Sequence, residues 1–158
     1  MDSQLVPAAK RKSRPETKPD GEGSARGRRS RKPGEPLSVL VVDDDELSVK
    51  LVAVVLRSEG CLVETARSAE EARDLLRTLH PDVIVLDLIL PLMSGVLLAE
   101  QLKSDAATKD IVLIAVTAFN GSKSERVAFQ AGFSAYVKKP IDPAAFAKLV
   151  FESSEEVR

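Results

Sequence analysis

The chain has 158 residues, 44% of them apolar and 4% aromatic, with a formal net charge of −1, which fits one domain with an aliphatic core and little room for a second. One cysteine, Cys61, and one histidine, His80, exclude an internal disulfide, a cysteine-based metal site and a multi-histidine metal site. No apolar run approaches the ~18 residues of a membrane span and the N-terminus does not resemble a secretory signal, so we expect a cytoplasmic protein without a membrane span.

The first 36 residues differ in composition from the rest of the chain. Residues 1–36 contain ten Lys or Arg against five Asp or Glu, whereas the remaining residues contain thirteen against nineteen. Because this segment is rich in Pro, Gly and Ser and has little apolar surface to offset its ordering entropy, we predict a disordered basic tail before a domain at 37–155. We interpret its basic run, 26–32, as solubilising or as an overextended gene start; a tether to nucleic acid, anionic lipid or an acidic partner is the alternative.

From residue 37 onward, short apolar segments alternate with segments of helical periodicity. Predicted strands cover residues 37–42, 62–65, 83–86, 111–116 and 135–138. Predicted helices cover residues 46–58, 68–80 and 95–104, and two more begin near 122 and 142.

Capping residues mark where several of these helices begin. Ser68 with Glu71 and Ser122 with Glu125 match the capping-box pattern. Asp45 is interpreted as the cap of the first helix, because an Asp directly before a helical segment accepts hydrogen bonds from its free N–H groups.

The order βαβαβαβαβα predicts an α/β fold in which a parallel sheet is covered by helices on both faces. Two strand orders are plausible for such a sheet, and the flavodoxin-like order 2-1-3-4-5 suits five strands, so we expect a three-layer, flavodoxin-like (βα)5 domain with this order. In such sheets ligands bind outside the carboxyl ends of the strands, near the point where the strand order reverses.

Polar residues follow four of the five predicted strands at that edge. Asp43 and Asp44 follow the first strand, Asp87 the third, Thr117 the fourth and Lys139 the fifth, whereas the second strand contributes no obvious chemistry. Because the first, third, fourth and fifth strands are neighbours in the predicted order, these side chains are expected to converge on one pocket.

Clustered carboxylates repel one another and have raised pKa values unless a cation lies among them. Mg2+ binds through a few carboxylates, waters and phosphate oxygens, so it is the predicted cofactor. An Asp in such a site can attack phosphorus, while the metal and a nearby ammonium neutralise the charge that develops on the transferring group. These residue types therefore predict a site that accepts a phosphoryl group.

Four segments resemble the motifs of response-regulator receiver domains, in the expected order and over residues 37–152. They are residues 39–45, residues 83–91 followed by Met93-Ser94-Gly95, residues 116–118 and residues 137–140. The similarity implies a CheY-like, stand-alone response regulator of two-component signal transduction, which is not an enzyme in the usual sense. It also implies a histidine kinase or phosphotransfer protein as phosphodonor, and signalling by phosphorylation-dependent binding to another protein.

The same resemblance implies how the phosphoryl group is received. Asp87 is the implied acceptor, and Lys139 pairs with the phosphoryl oxygens. The hydroxyl of Thr117 and the backbone N–H of Ala118 contact the same group. The bond between Lys139 and Pro140 is expected to be cis.

Metal ligands and switch residues follow from the resemblance as well. The implied metal ligands are Asp44, Asp87, the backbone carbonyl of Ile89, and Asp43, which acts directly or through a water. Thr117 is drawn toward the phosphoryl group, and Tyr136 occupies the position of the aromatic that turns inward on activation.

Two positions depart from what the site would need for fast hydrolysis. Ile89 and Phe119 lie two residues after Asp87 and Thr117, and both are large and apolar. In receivers, the residues at these two positions flank the path of the attacking water. We hypothesise that they shield the acyl phosphate. A Mg2+-dependent phosphohydrolase is the first alternative, but it would need an acid at the position of Ile89. The second alternative is a scaffold whose basic tail binds nucleic acid.

Overall fold

The computed structural model describes residues 31–119 and 121–156, and this part of the chain alternates five strands with five helices. The strands are β1 (Ser38–Val42), β2 (Leu62–Ala66), β3 (Val83–Leu86), β4 (Val112–Thr117) and β5 (Ala135–Lys138). The helices are α1 (Glu46–Ser58), α2 (Ala69–Leu75), α3 (Gly95–Lys103), α4 (Ser122–Ala131) and α5 (Pro143–Glu156). No helix in these ranges is long and apolar enough to cross a membrane.

The five strands form one parallel sheet in the order β2-β1-β3-β4-β5, which confirms the predicted topology. Successive side chains of a strand point to opposite faces of the sheet, and the core is divided accordingly. Val39 and Val41 of β1 pack with α1 and α5, whereas Leu40 and Val42 pack with α2, α3 and α4. The inner strands β1, β3 and β4 are buried on both faces, so they are largely apolar rather than alternating, whereas the edge strands β2 and β5 also contain exposed residues.

The second helix is shorter than predicted. Its α-helical part ends at Leu75, whereas the apolar stripe predicted a helix up to Pro81. In the turn that follows, the N–H of Thr78 donates to the carbonyl of Leu75 at 3.2 Å, an i→i−3 bond of the tighter kind that often closes helices. This turn still lets Leu79 pack on the core, which is why apolar spacing alone indicated a continuing helix.

The predicted capping box at Ser122 is wrong. Ser122 is the first helical residue, and the cap position is Gly121, which provides no side-chain hydrogen bond. Gly121 has a φ of 113°, a conformation that glycine adopts without steric cost. The chain therefore enters α4 through a glycine turn. The caps predicted at Asp45 and Ser68 are confirmed, since each side chain accepts the N–H three residues ahead.

Within the described residues, Arg31 already contacts the domain, six residues before the predicted boundary at 37. Arg31 Nη1 donates to the carbonyl of Glu35 at 2.9 Å, and Arg31 Nε lies 4.0 Å from Asp82 Oδ2. Asp82 is buried and joins the starts of two strands: its carboxylate accepts the N–H of Ser38 at 2.9 Å, and its own N–H donates to the Ser38 carbonyl at 2.8 Å. Residues 1–30, which include most of the basic run, lie outside the described residues.

Replacing Asp82 by alanine is expected to reduce the free energy of unfolding by about 1–3 kcal/mol, because the Ser38 N–H loses its buried acceptor. Urea denaturation measures the loss. Asp110→Ala serves as the control, since Asp110 is an exposed carboxylate close to the same edge of the sheet. Equal denaturation midpoints for the two variants would show that the hydrogen bond from Ser38 to Asp82 adds nothing to stability beyond the effect of removing a negative charge.

Candidate functional site

The pocket predicted at the carboxyl edge of the sheet is built by backbone pairing of its strands. Val42 and Leu86 are register partners in β1 and β3, so Asp43 and Asp87 leave the sheet side by side. The ladder continues past the strand ends: Asp87 N–H donates to the Val42 carbonyl at 3.0 Å, and Asp43 N–H donates to the Ala66 carbonyl at 3.1 Å. Both carboxylates are thereby held on rigid backbone.

Lys139 connects these two carboxylates. Its Nζ lies 2.7 Å from Asp43 Oδ2 and 3.1 Å from Asp87 Oδ2. The Lys139 N–H donates to the carbonyl of Thr117 at 2.9 Å, which ties the residue to the end of β4. The bond between Lys139 and Pro140 is cis, as predicted. The residue directly after β5 thus reaches across β4 and β3 to the end of β1.

The charges of the three groups are unequal, because two carboxylates share one ammonium. Burial raises the pKa of Asp43 and the nearby Asp87 carboxylate raises it further, although hydrogen bonds with Lys139 and the Asp45 N–H act in the opposite direction. Burial lowers the pKa of Lys139, but its hydrogen bonds with Asp43 and Asp87 outweigh that effect and the net shift is upward. Lys139 therefore stays protonated, while Asp43 retains a cost of ionisation that a further cation would reduce.

Asp44 completes a group of three acids with the composition of a metal site. One carboxylate oxygen from each of Asp43, Asp44 and Asp87 lies within 4.8 Å of the others, with Asp43 and Asp87 buried and Asp44 exposed. Hard divalent cations such as Mg2+ prefer carboxylate oxygens and retain several waters, which the exposed side of the group admits. The donor set and the raised Asp43 pKa both fit such an ion.

The predicted phosphoryl contacts lie at the adjoining strand end. Thr117 is the last residue of β4 and is fully buried, and its hydroxyl oxygen accepts the N–H of Phe119 at 3.3 Å. Ala118 lies between these two residues and is exposed. On the β3 side, Ile89 N–H donates to Asp87 Oδ1 at 3.0 Å, so the backbone of Ile89 is adjacent to the carboxylate of Asp87.

Tyr136, the predicted switch aromatic, is half-buried and contacts the loop that follows β4. Its hydroxyl donates to the carbonyl of Phe119 at 2.7 Å and forms a 2.9 Å hydrogen bond with Ser124 Oγ. Phe119 is therefore bonded through both of its backbone groups, by its N–H to the buried threonine and by its carbonyl to the tyrosine. Its switch role remains a prediction.

Sequence reasoning missed a residue that follows β2. Arg67 donates from Nε and Nη2 to the backbone carbonyl of Asp44, at 3.3 and 3.2 Å. The second strand was expected to contribute no chemistry, whereas it brings a guanidinium to the acidic loop. The available signal was a basic residue directly after a strand at the edge where the acids cluster.

The model of the response regulator receiver domain family matches residues 39–151. The chain belongs to this family. The Brucella ovis protein named "Polar-differentiation response regulator DivK" is 39% identical over 113 residues, which are 72% of this chain and 92% of that protein. The receiver is therefore that of a two-component response regulator, a family of signalling phosphoacceptors phosphorylated on aspartate that interact with histidine kinases or phosphotransfer proteins.

Solved structures agree with the family assignment. A response regulator receiver domain protein (CheY-like) from Methanospirillum hungatei JF-1 has a TM-score of 0.72 and 26% identity, and the match covers 78% of this chain and 97% of that chain. A putative response regulator from Chloroflexus aurantiacus J-10-fl has a TM-score of 0.72 and 30% identity, covering 77% and 99%. The flavodoxin-like fold of the receiver is thus confirmed by comparison as well as by its own topology.

Proposed function

We propose that Asp87 is the phosphoacceptor of this receiver. The observation that carries the proposal is the position of Lys139 Nζ, 3.1 Å from Asp87 Oδ2 and 2.7 Å from Asp43 Oδ2. A carboxylate oxygen of Asp87 forms the bond to phosphorus while the bond from phosphorus to the donor's nitrogen breaks, and the electron pair leaves with that nitrogen. The ammonium stands where negative charge develops on the transferring oxygens, so it favours the transition state.

The proposal includes a Mg2+ ion held by the carboxylates of Asp43, Asp44 and Asp87, with the carbonyl of Ile89 as a further ligand. Mg2+ bound there would supply a hard cation that neutralises phosphoryl oxygens during transfer. The mutual approach of the three carboxylates to within 4.8 Å supports this assignment. The buried Asp43 side chain orients the loop as well, because its Oδ1 accepts the N–H of Asp45 at 2.9 Å.

We further propose that the signal leaves through the loop after β4. Thr117 and the N–H of Ala118 would contact the phosphoryl group, which draws the threonine hydroxyl away from its bond to Phe119 N–H. The same loop is bonded to Tyr136 through the Phe119 carbonyl. Phosphorylation would therefore bias a two-state surface around Tyr136 and change which protein the receiver binds. The predicted cytoplasmic location and the downstream partner stay predictions.

Intact mass spectrometry of the full chain tests the acceptor. After incubation with Mg2+ and phosphoramidate, the wild-type protein is expected to gain one phosphoryl group, and Asp87→Ala to gain none. Asp110→Ala, which removes an exposed carboxylate at the other edge of the sheet, should be phosphorylated like the wild type. A phosphorylated Asp87→Ala protein would place the acceptor elsewhere, and a folded wild type that accepts nothing from phosphoramidate or from any histidine kinase would overturn the proposal.

An apolar stripe on α1 is the surface that we propose for docking of the protein phosphodonor. Leu47, Leu51 and Val54 are 76%, 45% and 63% exposed, and they follow one another at the spacing of a single helix face. Leu47 and Leu51 line a groove with Ile141 that reaches Lys139. A donor that must bring its phosphorylated histidine to the site can bury apolar surface there while transfer takes place.

Replacing Leu47 and Leu51 together by serine is expected to slow transfer from a histidine kinase or phosphotransfer protein by about tenfold or more, as loss of central apolar contacts does in other interfaces. The rate with phosphoramidate should fall much less, because this donor needs no docking surface. Leu62→Ser, at an exposed leucine on the edge strand β2, is the matched control. Equal slowing with both donors would contradict the docking role.

The exposed, apolar side chains of Ile89 and Phe119 are expected to prolong the lifetime of the acyl phosphate, because each lies two residues after a proposed site residue, Asp87 or Thr117. Ile89→Asn with Phe119→Glu should accelerate hydrolysis by about tenfold, a small part of what general-base assistance can supply. The decay of the phosphorylated mass after donor removal measures the rate. Phe129→Gln, at an exposed aromatic on α4, should leave the decay unchanged; an unaltered decay in the double variant would refute the shielding hypothesis.

A further inference from the structure

Arg67 joins the end of β2 to the loop that presents Asp44. Its Nε and Nη2 donate to the Asp44 carbonyl at 3.3 and 3.2 Å, over 23 residues of sequence. Two nitrogens of one planar guanidinium that converge on one oxygen define a direction as well as a distance. The contact therefore restrains the orientation of the Asp44 peptide group.

Arg67 is itself held in place. Its backbone N–H donates to Glu71 Oε1 at 2.7 Å, and the N–H of Glu71 donates to Ser68 Oγ at 3.1 Å. These two bonds tie the β2–α2 loop to the first turn of α2. The guanidinium thus extends from a fixed loop, and less conformational entropy is lost when it bonds to Asp44.

The neighbours of Asp44 are bonded on both sides. Asp43 N–H donates to the Ala66 carbonyl at 3.1 Å, and Asp45 N–H donates to Asp43 Oδ1 at 2.9 Å. Asp44 is the exposed member of the three acids, so its carboxylate has the least packing to hold it. The guanidinium of Arg67 restrains this residue through its carbonyl.

We infer that Arg67 is a positioning residue for the metal site: by holding the Asp44 carbonyl, it keeps the Asp44 carboxylate among the ligands. This inference rests on the proposed function of Asp43, Asp44 and Asp87. The positive charge of Arg67 acts in the opposite direction, because it repels a divalent cation. That repulsion is weak, since Arg67 is exposed and its charge is screened by water and salt, so the restraint on Asp44 dominates.

Isothermal titration of the full chain with Mg2+ tests the inference. Arg67→Ala is expected to weaken Mg2+ binding by about tenfold, the lower end of the effect of removing an outer contact of a metal ligand. Arg67→Lys should recover part of the affinity, because it restores one donor. Arg73→Ala removes another exposed arginine, which bonds Gln101 on α3, and should bind Mg2+ like the wild type.

The outcomes separate positioning from charge and from stability. Tighter Mg2+ binding by Arg67→Ala would show that repulsion dominates, and unchanged binding would show that Asp44 needs no restraint; either result overturns the inference while the proposed metal site stands. No binding by the wild type would overturn both.

In an Asp44→Asn background, Arg67→Ala should have little further effect on Mg2+ affinity, and a full additional loss would contradict action through Asp44. Thermal unfolding in EDTA monitors the fold of every variant, and an Arg67→Ala affinity loss that merely follows its stability loss would also overturn positioning.

Discussion

Replacing Lys139 by alanine is expected to slow phosphorylation of the receiver by about a hundredfold or more, the effect typical of losing one charge-stabilising donor from an active site. In the structure its ammonium lies within hydrogen-bond distance of both Asp43 and Asp87. Without it, Asp43 and Asp87 lose the ammonium that both of them contact. The phosphoryl oxygens would then approach two buried carboxylates with the metal as their main counter-charge.

The time course of phosphorylation by phosphoramidate, followed by intact mass at saturating Mg2+, measures this effect. Lys138→Ala is the matched control, because it removes the adjacent lysine, which is exposed and lies in β5 in register with Thr117 of β4. The control should retain nearly the full rate. A wild-type rate in Lys139→Ala, in a protein that melts normally, would mean that the metal alone neutralises the transferring group.

Replacing Gly95 by alanine is expected to destabilise the receiver by about 1–3 kcal/mol or more, the usual cost of an extra methyl in a packed site, and to abolish most phosphorylation. Gly95 begins α3, and its N–H donates to the Leu88 carbonyl at 2.9 Å. A Cβ built on Gly95 would overlap the backbone carbonyl of Asp87 and lie 2.8 Å from the Cα of Leu88. These are backbone atoms, which cannot rotate away from the added methyl group as the end of a flexible side chain can. The whole segment that carries the acceptor Asp87 must therefore shift.

Gly60→Ala is the control for this prediction. Gly60 has a φ of 89° and open space around the added Cβ, so the substitution measures backbone strain alone, about 1–2 kcal/mol. Chemical denaturation should show a larger loss for Gly95→Ala, and only that variant should lose phosphorylation by phosphoramidate. If Gly95→Ala were as stable and as active as wild type, α3 would have to move away from Asp87 at no cost.

The elements whose signals are local in the chain could be predicted closely. β3, β5 and α1 were predicted with the bounds that the structure shows, because continuous apolar runs and an Asp cap mark their ends. Errors arose where local and tertiary preferences differ. The apolar residues up to Leu79 have helical spacing, but the chain packs Leu79 on the core through a turn after α2 ends. A capping box was expected to begin the helix at Ser122, whereas the chain enters α4 through a turn at Gly121.

The predicted site residues could be selected from sequence because strand order makes them neighbours. Once the order 2-1-3-4-5 is assigned, acids after β1 and β3 must meet, and so must a residue after β5 that reaches across β4. Strand order also brings Arg67, which follows β2, to this edge, but it could not identify the group that Arg67 contacts. Its contact is with the backbone carbonyl of Asp44, and a carbonyl is present at every residue, so no residue type in the sequence marks the acceptor.

The sequence by itself therefore determined the fold class and which side chains follow the strands at their carboxyl ends, because periodicity and residue type encode burial and charge; it favoured the strand order 2-1-3-4-5, which the structure then confirmed. Only the tertiary structure decided how one ammonium is shared between Asp43 and Asp87, how closely Gly95 approaches the backbone of Asp87, and which carbonyl Arg67 binds. The physical reason is that these interactions depend on distances of a few ångströms between segments remote in sequence. Such distances are set by the packing of the whole domain, whereas local patterns report only on the neighbours of each residue along the chain.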